Sequence, residues 1–247
     1  LNKELEALIE DFKTEIKDLK EYELSKLKRF SLELYQAVIE DFDKLSYKDI
    51  KTYLPAFLQD KFKEQIEVQE VEIKASIVTI YEKSIEKVGK IFEKLKDELE
   101  LKIDLSLIKI KNINKTSSLD IGSYALLNSG LFIMFLGGLF PLIGGLLMIA
   151  SGGFLSLNSK KSEETNLKDE LKKISHQAIT NATEKISNKT TEIIEDISLK
   201  IQEQLKSLFT EEFDSIENSI NSVIEEKKNT ELETTKKIEA IDKDINF

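Results

Sequence analysis

The chain has no cysteine, one histidine (His176), two prolines and a single arginine, Arg29. Without cysteine there is no disulfide framework, thiol nucleophile or thiolate metal site, and one histidine cannot complete a zinc cluster. Absence of cysteine fits the cytoplasm. The net charge of −10 and the lack of clustered arginine exclude the basic footprint of a nucleic-acid-binding domain. Glycine is nearly missing too, except in one place. Eight of the nine glycines (Gly122, Gly130, Gly137, Gly138, Gly144, Gly145, Gly152 and Gly153) and both methionines fall within residues 121–159. The chain opens on Leu1 with neither an initiator methionine nor a signal-peptide pattern, as expected of a fragment or a processed product.

What is present is charge and aliphatic surface. Charged residues make up 33% of the 247 residues and hydrophobic ones 40%, a balance that with few breakers suits long helices with one apolar stripe. Leu5, Leu8, Phe12, Ile16, Leu19, Leu27, Phe30, Leu34, Val38 and Phe42 recur mostly at steps of three, four, seven or eight, which predicts a first helix over 1–45. Ser46 and Asp49 form a capping pair, with Leu45 as a hydrophobic staple. Leu54-Pro55 is expected to end the short helix begun there and to act as a hinge. Phe62, Ile66, Ile73, Ile77, Val88, Phe92 and Leu99 then carry a second long helix of roughly 65 Å.

After Leu99 the period changes. Leu101, Ile103, Leu105 and Leu107 alternate with polar residues, which predicts an extended connector reaching about residue 120. Residues 164–245 contain no glycine or proline and predict one or two further helices, with a hinge or frayed stretch where the stripe turns polar over 225–235. The expected fold is all-α, an elongated antiparallel helical bundle. Its expected divisions are stalk helices and connector over 1–120, a hydrophobic segment over 121–159, and a C-terminal stalk over 160–247.

Between Asp120 and Lys160 no residue is charged, a run of 39 residues and about twice the ~20 that one transmembrane helix needs. Pro141 divides it into two arms, 124–140 and 142–157, because proline inside a helix removes a hydrogen bond and clashes with the preceding turn. A membrane-binding helical hairpin follows, either spanning or dipping into one leaflet. Its inserting residues are Leu131, Phe132, Ile133, Met134, Phe135, Leu136, Leu139, Phe140, Pro141, Leu142, Ile143, Leu146, Leu147, Met148 and Ile149. The glycine pairs recur at intervals of seven and eight, so they give smooth helix faces that pack closely in lipid. Lys109, Lys111 and Lys115 on one flank and Lys160 and Lys161 on the other place both ends on the cytoplasmic side and suit anionic headgroups. A buried helix pair in a water-soluble bundle and a single transmembrane anchor are the alternatives for this run.

Elsewhere the carboxylates alternate with lysines and describe solvated faces, so no catalytic residue and no metal ligand is expected. His176 is expected to be structural and Arg29 to be a surface residue with no identifiable partner. Gly89-Lys90 lacks the frame of a phosphate-binding loop, and no cofactor is expected in this chain. The stripes are read as intramolecular core, with self-association as the other use of such surface.

The amphipathic helix pair, the alternating connector LKIDLSLIKI over 101–110, the glycine-rich hairpin around Gly138, Leu139, Phe140 and Pro141, and the uninterrupted C-terminal helix, in this order, resemble the C-terminal half of bacterial dynamin-like proteins. Mitofusins share the plan. The resemblance implies a neck and trunk with residues 121–159 as the membrane paddle at its tip. It also implies an upstream GTPase domain using GTP and magnesium, a related dynamin-like subunit or a second copy as partner, and the cytoplasmic face of the bacterial inner membrane as location. Membrane remodelling, tethering or fusion is the activity it implies for the parent protein, while this chain itself is expected not to be an enzyme. A helical pore-forming toxin component and a membrane-anchored coiled-coil scaffold are the competing expectations.

Overall fold

In the computed structural model, described here for residues 2–102 and 164–245, three helices account for everything except Leu45 and Ser46. They are α1 (Asn2–Lys44), α2 (Tyr47–Lys102) and α3 (Glu164–Ile245). At 1.5 Å per residue, their 43, 56 and 82 residues span about 65, 85 and 120 Å. Isolated helices of such polar composition are marginal in water, so their order comes from the stripe they bury. Phe12, Leu27, Val38 and Phe42 of α1 are buried against Leu58, Phe62, Ile66 and Ile73 of α2 and Leu171, Ile186, Ile194 and Leu205 of α3. Each such side chain contributes roughly 1.5–3 kcal/mol on burial.

A two-residue connection forces α1 and α2 to run antiparallel. The last α1-type bond, from Leu45 N–H to the Asp41 carbonyl, is followed directly by the first of α2, from Ile50 N–H to the Ser46 carbonyl. Ser46 caps α2 as expected: its Oγ accepts from the Asp49 amide at 3.3 Å and donates to the Asp49 carboxylate at 2.6 Å. Leu45 packs on the core beside it. Along the pair, Phe30 meets Phe62 edge-on at 5.4 Å and Lys87 reaches Asp11 at 3.1 Å.

Helix α3 also runs antiparallel to α1. Lys172 lies 3.7 Å from Asp43, His176 stacks on Tyr35 at 4.7 Å, and Lys20 meets Glu195 at 2.8 Å. Consequently α2 and α3 are parallel, with Phe92 against Phe209 at 4.9 Å. Helix α1 is thus antiparallel to both of its neighbours, while α2 and α3 share a direction: hydrophobic periodicity fixes which face is buried but carries no information on the direction of the neighbour.

Three expectations are corrected. The helix begun at Tyr47 does not stop at Leu54-Pro55 but continues through Pro55 to Lys102. Proline in a helix interior costs about 3 kcal/mol, and burial of Ile50, Leu54, Leu58 and Phe62 on one face spanning it offsets that cost. The extended connector does not begin at Leu101, which is helical with Lys102. Leu95 and Leu99 pack on the core and hold the last turns of α2, and the remainder of the connector lies outside the described residues. Finally, α3 is one helix through 225–235. Its glutamates and lysines are good helix formers, and Thr230, Thr234 and Thr235 each donate to the carbonyl four residues back.

Candidate functional site

The residues expected to insert into a membrane, from Leu131 to Ile149, and the expected headgroup lysines Lys109, Lys111, Lys115, Lys160 and Lys161 all lie outside the described residues. Among the described residues, no helix is long and apolar enough to cross a membrane. What the structure does describe is the helices on either side of that segment. Its two attachment points are Lys102, the last residue of α2, and Glu164, the first of α3.

These points sit at opposite ends of the bundle. Because α2 and α3 are parallel and Phe92 is level with Phe209, Lys102 is level with residues near Ser219 of α3. Glu164 lies beyond the level of Phe42, whose carbonyl accepts a hydrogen bond from Lys168 at 3.0 Å, next to the Leu45-Ser46 turn. The axial gap between the two points is therefore about 80 Å. Two lengths of polar chain lead from them to the uncharged run, 103–120 from the α2 side and only 160–163 from the α3 side.

No protein-family model matches the chain, and no curated protein or solved structure matches it either.

Among the described residues, no group of three or more His, Asp or Glu is placed to hold a metal ion. Gly89 and Lys90 are in the middle of α2, where the backbone N–H groups are committed to the helix and cannot cradle a phosphate. Nothing lies within 4 Å of where a Cβ on Gly89 would be, so no close approach requires that glycine. Shallow depressions along α3, one lined by Glu226, Thr230 and Thr234 and another by Asp214, Asn218 and Ser222, each follow a single exposed helix face and enclose nothing. His176 is exposed and serves as a ring partner for Tyr35. Arg29, expected to have no partner, has its Nε 4.0 Å from the Glu33 carboxylate one turn along α1; both side chains are largely exposed.

The feature that the stripe reading missed is a polar layer inside the bundle. Glu23, Gln69 and Thr190 are 1%, 1% and 0% exposed, although each occupies a position that its helix otherwise gives to an apolar residue. The Gln69 amide donates to the Glu23 backbone carbonyl at 3.1 Å, joining α2 to α1. Glu23 Oε2 and Thr190 Oγ1 have no hydrogen-bond partner. Interpolation between the Tyr35–His176 and Lys20–Glu195 contacts puts Thr190 level with Glu23. Burial pushes the Glu23 carboxyl above its usual range; the Lys26 ammonium, 3.8 Å away, pulls it back only in part. Lys26 is itself held outward by Glu72 of α2. The buried hydroxyls of Ser84, Ser175 and Thr183 instead donate within their own helix, to the carbonyls of Ile80, Leu171 and Ile179. A gap of eight between Leu19 and Leu27 in the α1 stripe was the available signal.

Proposed function

We propose that this chain is the membrane-binding helical stalk of a dynamin-like protein that remodels, tethers or fuses membranes. The observation that carries the reading is the run of 39 uncharged residues between Asp120 and Lys160, holding eight of the nine glycines, split by Pro141 and bounded by lysines. A run of that length and polarity has its lowest free energy in lipid, where each apolar side chain leaves water and helical backbone satisfies its own hydrogen bonds. The long helices on either side, α2 continuous through Pro55 and α3 with neither glycine nor proline, support the second half of the proposal. They are stiff enough to pass a displacement from one end of the rod to the other.

In this reading, GTP and magnesium are handled by a GTPase domain in the parent protein, and this chain converts its movements into motion of the lipid-embedded hairpin. One hairpin would anchor, whereas several on an assembly of rods would wedge lipid apart and bend the bilayer. The partners are the bilayer, anionic lipid in particular, and further copies of the stalk or of a related subunit.

Flotation with liposomes tests the membrane half directly. The chain is expected to rise with vesicles, and a variant carrying Leu136→Asp and Leu146→Asp is expected to stay at the bottom, because charge at bilayer depth costs several kcal/mol per residue. Equal flotation of both proteins sinks the reading. Release of an entrapped dye without nucleotide would instead favour a pore-forming component.

A further inference from the structure

We infer that α3 has a second seat on the α1–α2 hairpin, eight residues along, reached by a screw movement of about 12 Å toward the Leu45-Ser46 turn. In that seat Ser198 takes the place of Thr190 beside Glu23.

The present seat is registered by contacts between α1 and α3. The same 23 residues separate Asp43 from Lys20 and Lys172 from Glu195, so the two antiparallel helices stay in step. With the Tyr35–His176 contact between those pairs, Leu27 is level with Ile186, Glu23 with Thr190 and Phe12 with Ile201, all of them buried. Lys26, Gln69 and Glu72 belong to the hairpin and stay with Glu23 wherever α3 moves. Only Thr190 comes from α3.

The buried side of α3 carries a ladder of hydroxyls. Ser175, Thr183, Thr190 and Ser198 are all buried and follow one another at intervals of eight, seven and eight residues. Ser175 and Thr183 donate to the carbonyls of Leu171 and Ile179, and Ser198 Oγ accepts from the Gln202 amide at 3.1 Å. Thr190 is the rung whose hydroxyl is unbonded. Along this ladder, a hydroxyl is released from its own helix only at the level of the carboxylate.

The apolar stripe of α3 repeats with the same step. Eight residues on from the buried Ile186, Ile197 and Leu205 lie Ile194, Leu205 and Phe213. Phe213 and Ile224 are 38% and 44% exposed in the present seat, and the second seat carries them to the positions now held by the buried Leu205 and Ile216. Lys20, now paired with Glu195, meets Glu203 at the equivalent point. Eight residues make about 2.2 turns, so α3 rotates by about 80° as it advances. A seven-residue slip the other way, to Thr183, would put Lys172 level with Leu34 and Lys168 level with Val38, so the ladder favours one direction. The second seat has its own cost: Gln202 and Glu217 come to the positions now held by the buried Ile194 and Phe209. That cost keeps the present seat dominant at rest. Packed helices move between discrete arrangements of this kind, one-turn ratchets included, because positions in between leave side chains unmatched.

Electron–electron distances read the position of α3 directly. Spin labels are placed on Arg29→Cys and Gln204→Cys, both exposed, in the full chain, which has no native thiol. Dilution with unlabelled protein restricts the signal to distances within one chain. In the present seat Gln204 lies about 30 Å along the axis from the level of Arg29, which gives an expected separation of roughly 35–40 Å. In the second seat the axial part falls to about 18 Å and the separation to roughly 25–30 Å. Gln202→Leu with Glu217→Leu supplies apolar side chains where only the second seat needs them, and is expected to make the short distance the larger share. A single distance of roughly 35–40 Å in that variant overturns the inference. Adding Phe213→Glu and Ile224→Glu charges the two side chains that the second seat buries and is expected to restore the long distance alone; a short distance that survives them overturns it too. Thr190→Val, which keeps the shape of the side chain, removes the hydroxyl of the present seat. It is expected to raise the short-distance share above that of the wild type, and no rise would remove the ladder from the proposal.

Discussion

Glu23 occupies a position where the periodicity of α1 calls for leucine, and its neighbours Ile16, Leu19 and Leu27 are all buried. A carboxylate there is desolvated with one oxygen unbonded, a situation that costs about 1–3 kcal/mol. Replacing buried ionic groups by apolar side chains of similar volume is often stabilising by about 1–4 kcal/mol provided no partner charge is left buried and unpaired, and Lys26 keeps Glu72 when Glu23 is removed. Glu23→Leu is therefore expected to raise stability by about 1–2 kcal/mol at pH 7.5, read by urea unfolding. The gain should depend on pH in a definite sense. Because burial holds the Glu23 carboxyl above 4.5 in the folded state, the folded protein binds the proton more tightly than the unfolded chain. Wild-type stability from this group is present below the unfolded value and lost as pH rises through the folded one. The advantage of Glu23→Leu must then shrink as pH falls through the folded value toward 4.5. Glu70 and Glu212, also raised by burial, are common to both proteins and cancel in the difference. A gain independent of pH would show that packing, not charge, dominates the layer. This residue was half legible: the interruption of the stripe could be seen, but whether a polar residue there points inward depends on what α2 and α3 bring to the same level.

For whole elements, the sequence was read most successfully where local chemistry decides the outcome. Ser46 and Asp49 cap α2 through their own side chains, so four residues suffice to recognise the motif. Pro55 was misread because its local penalty is real but tertiary burial on either side of it is larger. Helix α2 continues through it, and the Lys51 carbonyl is left without the amide it would otherwise accept from. Pro55→Ala restores that donor and relieves the ring clash. It is expected to stabilise the protein by up to about 3 kcal/mol, seen as a higher melting temperature by circular dichroism with the same helical signal at low temperature. A lower melting temperature would mean that the chain bends at Leu54-Pro55 after all and that the proline is suited to the bend. The polar end of α3 teaches the converse. From Glu225 onward its described side chains are all exposed, and a thinning apolar stripe marks the loss of neighbours, not the loss of helix.

At the scale of the molecule, the all-helical class was legible from the near absence of glycine and proline outside residues 121–159, whereas the parallel course of α2 and α3 was not. An apolar stripe looks alike to a neighbour running in either direction, and only the lengths of the connections and specific contacts distinguish the two. The parallel course puts Lys102 and Glu164 at opposite ends of the bundle, so it merits a test of its own. With Phe92 level with Phe209, Lys94 of α2 and Glu211 of α3 fall in one layer. Helices in contact lie 8–10 Å apart, and two spin labels on their outer faces add to this, giving an expected separation of roughly 20–30 Å. In a bundle with α2 and α3 antiparallel, Lys94 would instead lie beside the first turns of α3, and the separation would exceed about 50 Å. Electron–electron distance measurement on Lys94→Cys with Glu211→Cys separates these outcomes in a background without native thiols. A single long distance in solution would refute the parallel pair.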